Sequence, residues 1–164
     1  MKLEGKITEE TVVVGVGAEE MWKVYGGLEL GRLVSELLPH DIGTAQPIQG
    51  HGGVGTIVKL TFPPGTPGVG YLKEIFTKID DEKRVKETET IEGGFKAMGF
   101  DVYRIRLEIL ENSADDQSTI VRSTIEYELD ENLANLLPFV TIKPLLTMSE
   151  TIGKYLCEKK KTTV

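Results

Sequence analysis

The chain has 164 residues, of which 40% are hydrophobic and 27% are charged, and its formal net charge at pH 7 is −7. This composition is typical of a globular protein with an apolar core, and the length is that of one domain, 1–164. The negative charge disfavours nucleic acid as a partner, and the one basic run, Lys159-Lys160-Lys161, lies in the C-terminal tail. No apolar run reaches the roughly 18 residues of a membrane span, so we expect no contact with a membrane.

A single cysteine, Cys157, cannot form an internal disulfide. Disulfides are typical of oxidising compartments, and the first residues of the chain carry charges where a secretory signal needs an apolar core. We therefore expect a cytoplasmic protein. We also expect a monomer or a weak dimer.

The first part of the chain changes from a strand pattern to a helical pattern. β-Branched residues within 3–16 predict a strand. Apolar residues at helical spacing follow over 18–25 and 30–38, with two glycines between these segments and Pro39 after the second. One strand and two short helices are therefore predicted.

From residue 45 onward, alternating apolar and polar residues predict six further strands. After Asp130 helical spacing returns in a long last helix, whose beginning is disturbed by Pro138 and Pro144. This order predicts the α+β class, an antiparallel sheet covered by one helix, and such a layout can leave a cavity for a small apolar ligand. The six predicted strands are 45–49, 56–62, 70–79, 84–91, 100–110 and 118–129.

A carboxylate and an amine, Glu74 and Lys86, lie on two predicted strands that a polar turn at 80–83 joins. Side chains alternate along strands, so a three-residue loop with Asp80 opposite Arg84 turns both groups to one face, whereas a two-residue loop separates them. Together they are capable of acid and base chemistry. The alternative is an exposed cross-strand ion pair, and sequence spacing does not decide between the two.

The segment Gly50-His51-Gly52-Gly53-Val54-Gly55 matches the G-x-G-x-x-G pattern of dinucleotide-binding folds. In those folds a helix follows the glycines, but residues 56–62 alternate like a strand, and Thr56 stands where a P-loop has lysine. The pattern therefore predicts a loop between two strands. His40 and His51 have no cysteine or carboxylate cluster at metal-ligand spacing, so neither a metal nor another cofactor is expected.

Seven segments of the chain carry a resemblance to known proteins. They are 37–39, 50–56, 91–94 and 123–127, and then 81–87, 98–100 and 106–110. The first four together resemble the plant pathogenesis-related class ten family, to which the birch pollen allergens belong. Within that family, further segments resemble the group of norcoclaurine and norbelladine synthases. The resemblance implies a seven-stranded curved antiparallel sheet wrapped around a long C-terminal helix, with two short helices and a hydrophobic tunnel.

The resemblance also implies an activity. Enzymes of that group join a phenethylamine, such as dopamine or tyramine, to an aromatic aldehyde through an imine or iminium. Norcoclaurine synthases close the iminium into a ring, a Pictet-Spengler reaction, whereas norbelladine synthases supply an imine to a separate reductase. The alternative for this fold is a carrier that binds small hydrophobic plant metabolites or hormones without changing them.

Position by position, the resemblance assigns Glu74 as the catalytic carboxylate, Lys86 as the catalytic amine and Tyr71 as the tyrosine of the norbelladine synthase pattern. Two positions differ from the ring-closing enzymes, because Leu72 replaces a tyrosine and Ile105 replaces an aspartate. Strand alternation predicts Tyr71 on the face opposite Glu74 unless a bulge redirects it. The expected substrate-binding residues are Leu72, Phe76, Phe95, Tyr103, Ile105, Phe139 and Leu145.

Overall fold

The structure is a computed structural model and describes residues 1–162. Within them, seven antiparallel strands form one sheet in the order β1-β7-β6-β5-β4-β3-β2, which confirms the predicted α+β class. Successive hairpins connect β2 to β7, and β1 pairs with β7. The strands are β1 (Lys2–Val13), β2 (Thr44–Gln49), β3 (Ile57–Thr61), β4 (Tyr71–Asp80), β5 (Val85–Gly93), β6 (Val102–Glu111) and β7 (Thr119–Asp130).

Four α-helices and a 3₁₀ helix accompany the sheet within the described residues. The last helix begins at Lys143 rather than just after Asp130, because the intervening residues form the 3₁₀ helix, which contains Pro138. A single turn after Gly93 was not predicted. The helices are α1 (Ala18–Tyr25), α2 (Glu29–Leu37), α3 (Gly94–Ala97), the 3₁₀ helix (Glu131–Phe139) and α4 (Lys143–Thr162).

The core lies between the inner face of the sheet and helices α1, α2 and α4. Alternation along β6 is as predicted, with Leu107 and Ile109 buried against the helices. Helix α4 packs closely on β1 at Gly153, where an added Cβ would lie 2.5 Å from a methyl carbon of Val13. In the part of the chain that the structure describes, no helix has the length and hydropathy needed to cross a bilayer.

Candidate active site

A cavity of about 470 Å³ lies between the sheet, α2 and the start of α4. We call it the lysine chamber, because Lys86 and Glu74 line it from β5 and β4. Its other walls are largely apolar, with Phe76 and Leu107 from the sheet and Met148 from α4.

A second cavity of about 310 Å³ adjoins the first, and we call it the aromatic chamber. Phe62, Phe95, Tyr103 and Phe139 line it, and the ring of Phe95 stacks on that of Tyr103 at 4.7 Å between centroids. The two chambers are therefore adjacent and largely apolar, and we refer to them together as the tunnel. They share the lining residues Ile42, Leu60, Ile105, Pro144 and Leu145.

The β4–β5 hairpin turns Glu74 and Lys86 toward the same chamber, but not through the three-residue loop considered above. Asp80 pairs with Val85, so four residues form the loop. A bulge at Thr77, between the paired residues Phe76 and Lys78, then shifts the register by one residue. With the four-residue loop alone, Glu74 and Lys86 would point to opposite faces of the sheet. A one-residue shift exchanges the two faces of a strand, so the bulge returns both side chains to the same face.

Lys86 is buried, with 2% of its surface exposed. Its Nζ donates a hydrogen bond to the backbone oxygen of Gly27 at 3.0 Å and lies 4.0 Å from the centroid of the Phe76 ring. Burial lowers the pKa of Lys86 to about 8, and the negative charge of Glu74 opposes that shift. A substantial fraction of this amine is therefore neutral near physiological pH.

Glu74 lines the chamber beside Lys86, and its Oε2 accepts a hydrogen bond from Thr88 Oγ1 at 3.2 Å. Burial raises the pKa of Glu74, while the positive charge of Lys86 and the Thr88 hydroxyl oppose the rise. A carboxyl group shifted in this direction is a better proton donor near neutral pH. The chamber thus holds an acid and an amine whose pKa values are both shifted toward neutrality.

The profile of the pathogenesis-related protein Bet v 1 family matches residues 2–159 of the chain. The chain belongs to the Bet v 1 family. It is 41% identical to norbelladine synthase of Narcissus pseudonarcissus, over 96% of this chain and 95% of that protein. It is also 36% identical to S-norcoclaurine synthase 2 of Coptis japonica, over 93% of this chain and 80% of that protein.

Among solved structures, the chain is similar to the norcoclaurine synthase of Thalictrum flavum in complex with dopamine and hydroxybenzaldehyde. The TM-score is 0.83 at 31% identity, covering 96% of this chain and 88% of that one. The tunnel of this Bet v 1 protein therefore lies in a fold that is shared with an enzyme solved with an amine and an aldehyde bound.

Tyr71 does not join Glu74 and Lys86 in either chamber. Its hydroxyl donates a hydrogen bond to Glu92 Oε2 at 2.8 Å on the outer face of the sheet, and Lys59 Nζ lies 5.1 Å from the centroid of its ring. The sheet does contain an irregularity between Lys73 and Glu74, but this leaves Tyr71 on the outer face. The structure therefore separates this residue from the other two members of the predicted catalytic set.

The seven expected substrate-binding residues all line the tunnel, and they divide between its two parts. Phe76 belongs to the lysine chamber, whereas Ile105 and Leu145 line both chambers. The remaining four line the aromatic chamber, where Phe139 is 52% exposed and lies at the rim. These four are Leu72, Phe95, Tyr103 and Phe139.

The glycine-rich loop at 50–55 lies between β2 and β3, as predicted, and it contacts both groups that hold Lys86. Gly55 N donates to Phe76 O at 2.8 Å, and Phe76 N donates to Thr56 O at 2.8 Å. Gly52 N donates to the buried Oγ1 of Thr56 at 2.9 Å. With φ at +107°, Gly52 lies against Gly27, whose Cα would be 3.6 Å from an added Cβ. The loop thus supports the Lys86 amine from outside the chamber.

Sequence reasoning did not identify Thr88, Gly27 or Thr56 as parts of the site. Gly27 contributes only a backbone oxygen, which no side-chain pattern reveals. Thr56 acts through an internal hydrogen bond of the loop, and the order of residues does not show that contact. Among residues 1–162 there is also no group of three or more His, Cys, Asp or Glu side chains arranged to hold a metal ion.

Replacing Thr56 with valine is expected to lower the pKa of Lys86 further. The change removes the acceptor of the Gly52 N–H, and leaving a buried donor unpaired costs about 1–3 kcal/mol. The loop then no longer holds Gly27 in place, so the charged amine loses its acceptor. NMR titration of the Lys86 ammonium checks this, with Thr56→Ser as the control that keeps the hydroxyl. A lower melting temperature with an unchanged pKa would limit Thr56 to a structural role.

Proposed function

We propose that this protein condenses a phenethylamine, such as dopamine or tyramine, with an aromatic aldehyde and releases the imine. The observation that supports this most strongly is the pair Glu74 and Lys86, which face one apolar chamber with pKa values shifted toward neutrality. Perturbed acid and base groups in a cavity are typical of catalytic sites.

The chemistry assigns a distinct step to each group. The substrate amine attacks the aldehyde carbon and forms a carbinolamine, whose hydroxyl must leave as water. Glu74, in its protonated form, donates the proton that makes this departure possible. The charged form of Lys86 stabilises the negative charge that develops on the aldehyde oxygen during attack. Each such proton transfer typically contributes about 10²- to 10⁴-fold, and alignment of the two partners adds to it.

The lining of the tunnel favours an imine over a cyclised product. Ring closure requires a group that takes a proton from the catechol and orients its ring toward the iminium carbon. Leu72 and Ile105 are apolar lining residues and do neither. An imine released into water hydrolyses readily, so we propose that a reductase consumes the product. The yield of reduced amine then depends on how readily this reductase reaches the imine at the tunnel.

Dopamine with 4-hydroxyphenylacetaldehyde, supplied with and without a chemical hydride donor, tests the product type. We expect the reduced secondary amine to exceed the enantiopure cyclised product. The double variant Leu72→Tyr with Ile105→Asp is expected to shift the ratio toward ring closure. Fast and strongly enantioselective cyclisation by the unmodified protein would contradict the proposal.

The same samples distinguish an enzyme from a carrier. Calorimetric titration with the amine and the aldehyde measures binding, while product analysis measures turnover. Saturable binding without acceleration over the buffer reaction would identify a carrier and would refute the proposed activity.

A further inference from the structure

Lys86 differs from the exposed lysines of this protein in both position and partners. Only 2% of its surface is exposed to solvent, and it lines a cavity of about 470 Å³. Within residues 1–162, its hydrogen bond is to a neutral backbone oxygen, and no carboxylate lies within ion-pair distance of its Nζ. Lys2, Lys6 and Lys73, by contrast, pair with carboxylates at the surface. A desolvated lysine without an ion-pair partner is the type of amine that proteins use as a nucleophile toward carbonyl groups.

We propose that Lys86 is itself a nucleophile. In place of direct attack by the substrate amine, its neutral form bonds to the aldehyde carbon in the lysine chamber and then transfers that carbon to the substrate amine. The inference rests on the proposed function for its second step only. Its first step needs the aldehyde alone.

The first step forms one bond and releases one water molecule. The neutral Nζ attacks the aldehyde carbon, and a proton moves from nitrogen to oxygen to give a carbinolamine. The carboxyl of Glu74 then protonates the hydroxyl, the carbon–oxygen bond breaks and water leaves. The product is an iminium on Lys86 with the carboxylate of Glu74 as its counter-charge, and no oxidant or reductant is needed.

The second step exchanges one amine for another. The nitrogen of the phenethylamine attacks the same carbon and, after a proton moves between the two nitrogens, the carbon–Nζ bond breaks. Lys86 leaves as a free amine, and the aldehyde carbon is now part of a product iminium. The carboxylate of Glu74 takes the proton of this iminium, which releases the neutral imine and restores the acid. Water is lost once in the whole sequence, as in direct condensation, so the overall reaction is unchanged.

Three features of the chamber suit this role. At pH 7 the fraction of neutral amine is about two hundredfold larger for a lysine of pKa 8 than for an exposed lysine. The Phe76 ring, 4.0 Å from Nζ, can stabilise a cation at that position, including the iminium. The apolar walls limit the access of water that would hydrolyse it.

Trapping with a hydride donor tests the first step. The protein is incubated with 4-hydroxybenzaldehyde and cyanoborohydride, without any amine substrate, and is then analysed by intact mass and peptide mapping. We expect one dominant adduct on Lys86, with a mass gain equal to the aldehyde less one oxygen atom. At pH 7 its rate of formation should exceed that of any exposed lysine, because the neutral fraction of Lys86 is larger at that pH.

Matched variants identify the labelled residue. Lys86→Met should lose the dominant adduct, whereas Lys78→Met, which changes an exposed lysine on the neighbouring strand, should keep it. Circular dichroism and thermal melting establish that both variants are folded. Glu74→Gln is expected to slow trapping without moving it to another lysine.

The outcomes separate this inference from the proposed function. Labelling spread over exposed lysines, with no excess on Lys86 but with normal condensation of dopamine, overturns the nucleophile and leaves the proposed function intact. Labelling of Lys86 without condensation refutes the proposed function and leaves an amine that reacts with aldehydes. Absence of both refutes both.

Discussion

Replacing Lys86 with methionine is expected to reduce the rate of amine–aldehyde condensation by about 10²- to 10⁴-fold and to raise the melting temperature at neutral pH. Activity falls because the chamber loses the one lysine that lines it among residues 1–162. Stability rises because methionine has a similar volume and carries no charge to desolvate. Initial rates with dopamine and a thermal melt measure the two effects, and Lys78→Met, which is exposed, should change neither.

The pH dependence of the stability gain follows from the lowered pKa. Below pH 8 Lys86 is charged in both the folded and the unfolded chain, so the whole desolvation cost is present. Between pH 8 and 10.5 the unfolded chain binds more protons, and the free energy of unfolding therefore rises with pH. The shift from 10.5 to about 8 corresponds to about 3 kcal/mol, from which the lost contacts with Gly27 and Phe76 subtract.

Chemical denaturation of Lys86→Met and the unmodified protein from pH 6 to 11 checks this sign. The advantage of the variant should be largest below pH 8 and should disappear above about 10.5. A parallel loss of melting temperature and activity would instead show that the charged amine of Lys86 stabilises the fold.

Replacing Glu74 with glutamine is expected to lower the condensation rate by about 10²- to 10⁴-fold, because the carbinolamine loses its proton donor. The rate of the unmodified protein should fall as pH rises through the raised pKa of Glu74, and the variant should lack that decline. Glu92→Gln, on the outer face of β5, is the control and should keep both rate and pH profile. A variant that retained the decline would assign it to another group.

Glu74→Gln also has a defined effect on stability. Because the pKa of Glu74 is raised on folding, the folded chain binds more protons than the unfolded chain between the ordinary pKa of 4.5 and the raised pKa. The free energy of unfolding of the native sequence therefore falls as pH rises through that window. Glutamine cannot ionise, so the variant should lose this slope.

Alternation along the strands was sufficient to predict the sheet. Tyr103, Ile105 and Leu107 follow a period of two, and that period survives in the structure because one face of β6 is buried. The shared face of Glu74 and Lys86 was not decidable from sequence. It depends on loop length together with a bulge at Thr77, and neither has a residue signature that separates it from a regular hairpin.

The start of the last helix and the contacts of Lys86 could also not be predicted from the sequence, but for a different reason. Helical periodicity continues through residues 131–139, so the 3₁₀ segment resembles an α-helix in pattern alone. Gly26 and Gly27 indicated a break between helices, which is correct. The carbonyl of Gly27 accepts a hydrogen bond from Lys86, which lies 59 positions later in the sequence. Only the folded chain brings these two groups together.

The outer position of the glycine-rich loop makes two properties of this protein separately adjustable. Residues that line the chambers determine which molecules fit, whereas Gly52 and Thr56 act on the amine without lining either chamber. Changes in the loop are therefore expected to alter the pKa of Lys86 without replacing a residue that lines either chamber. A gene duplicate could diverge in reaction rate first and in substrate later, or in the opposite order.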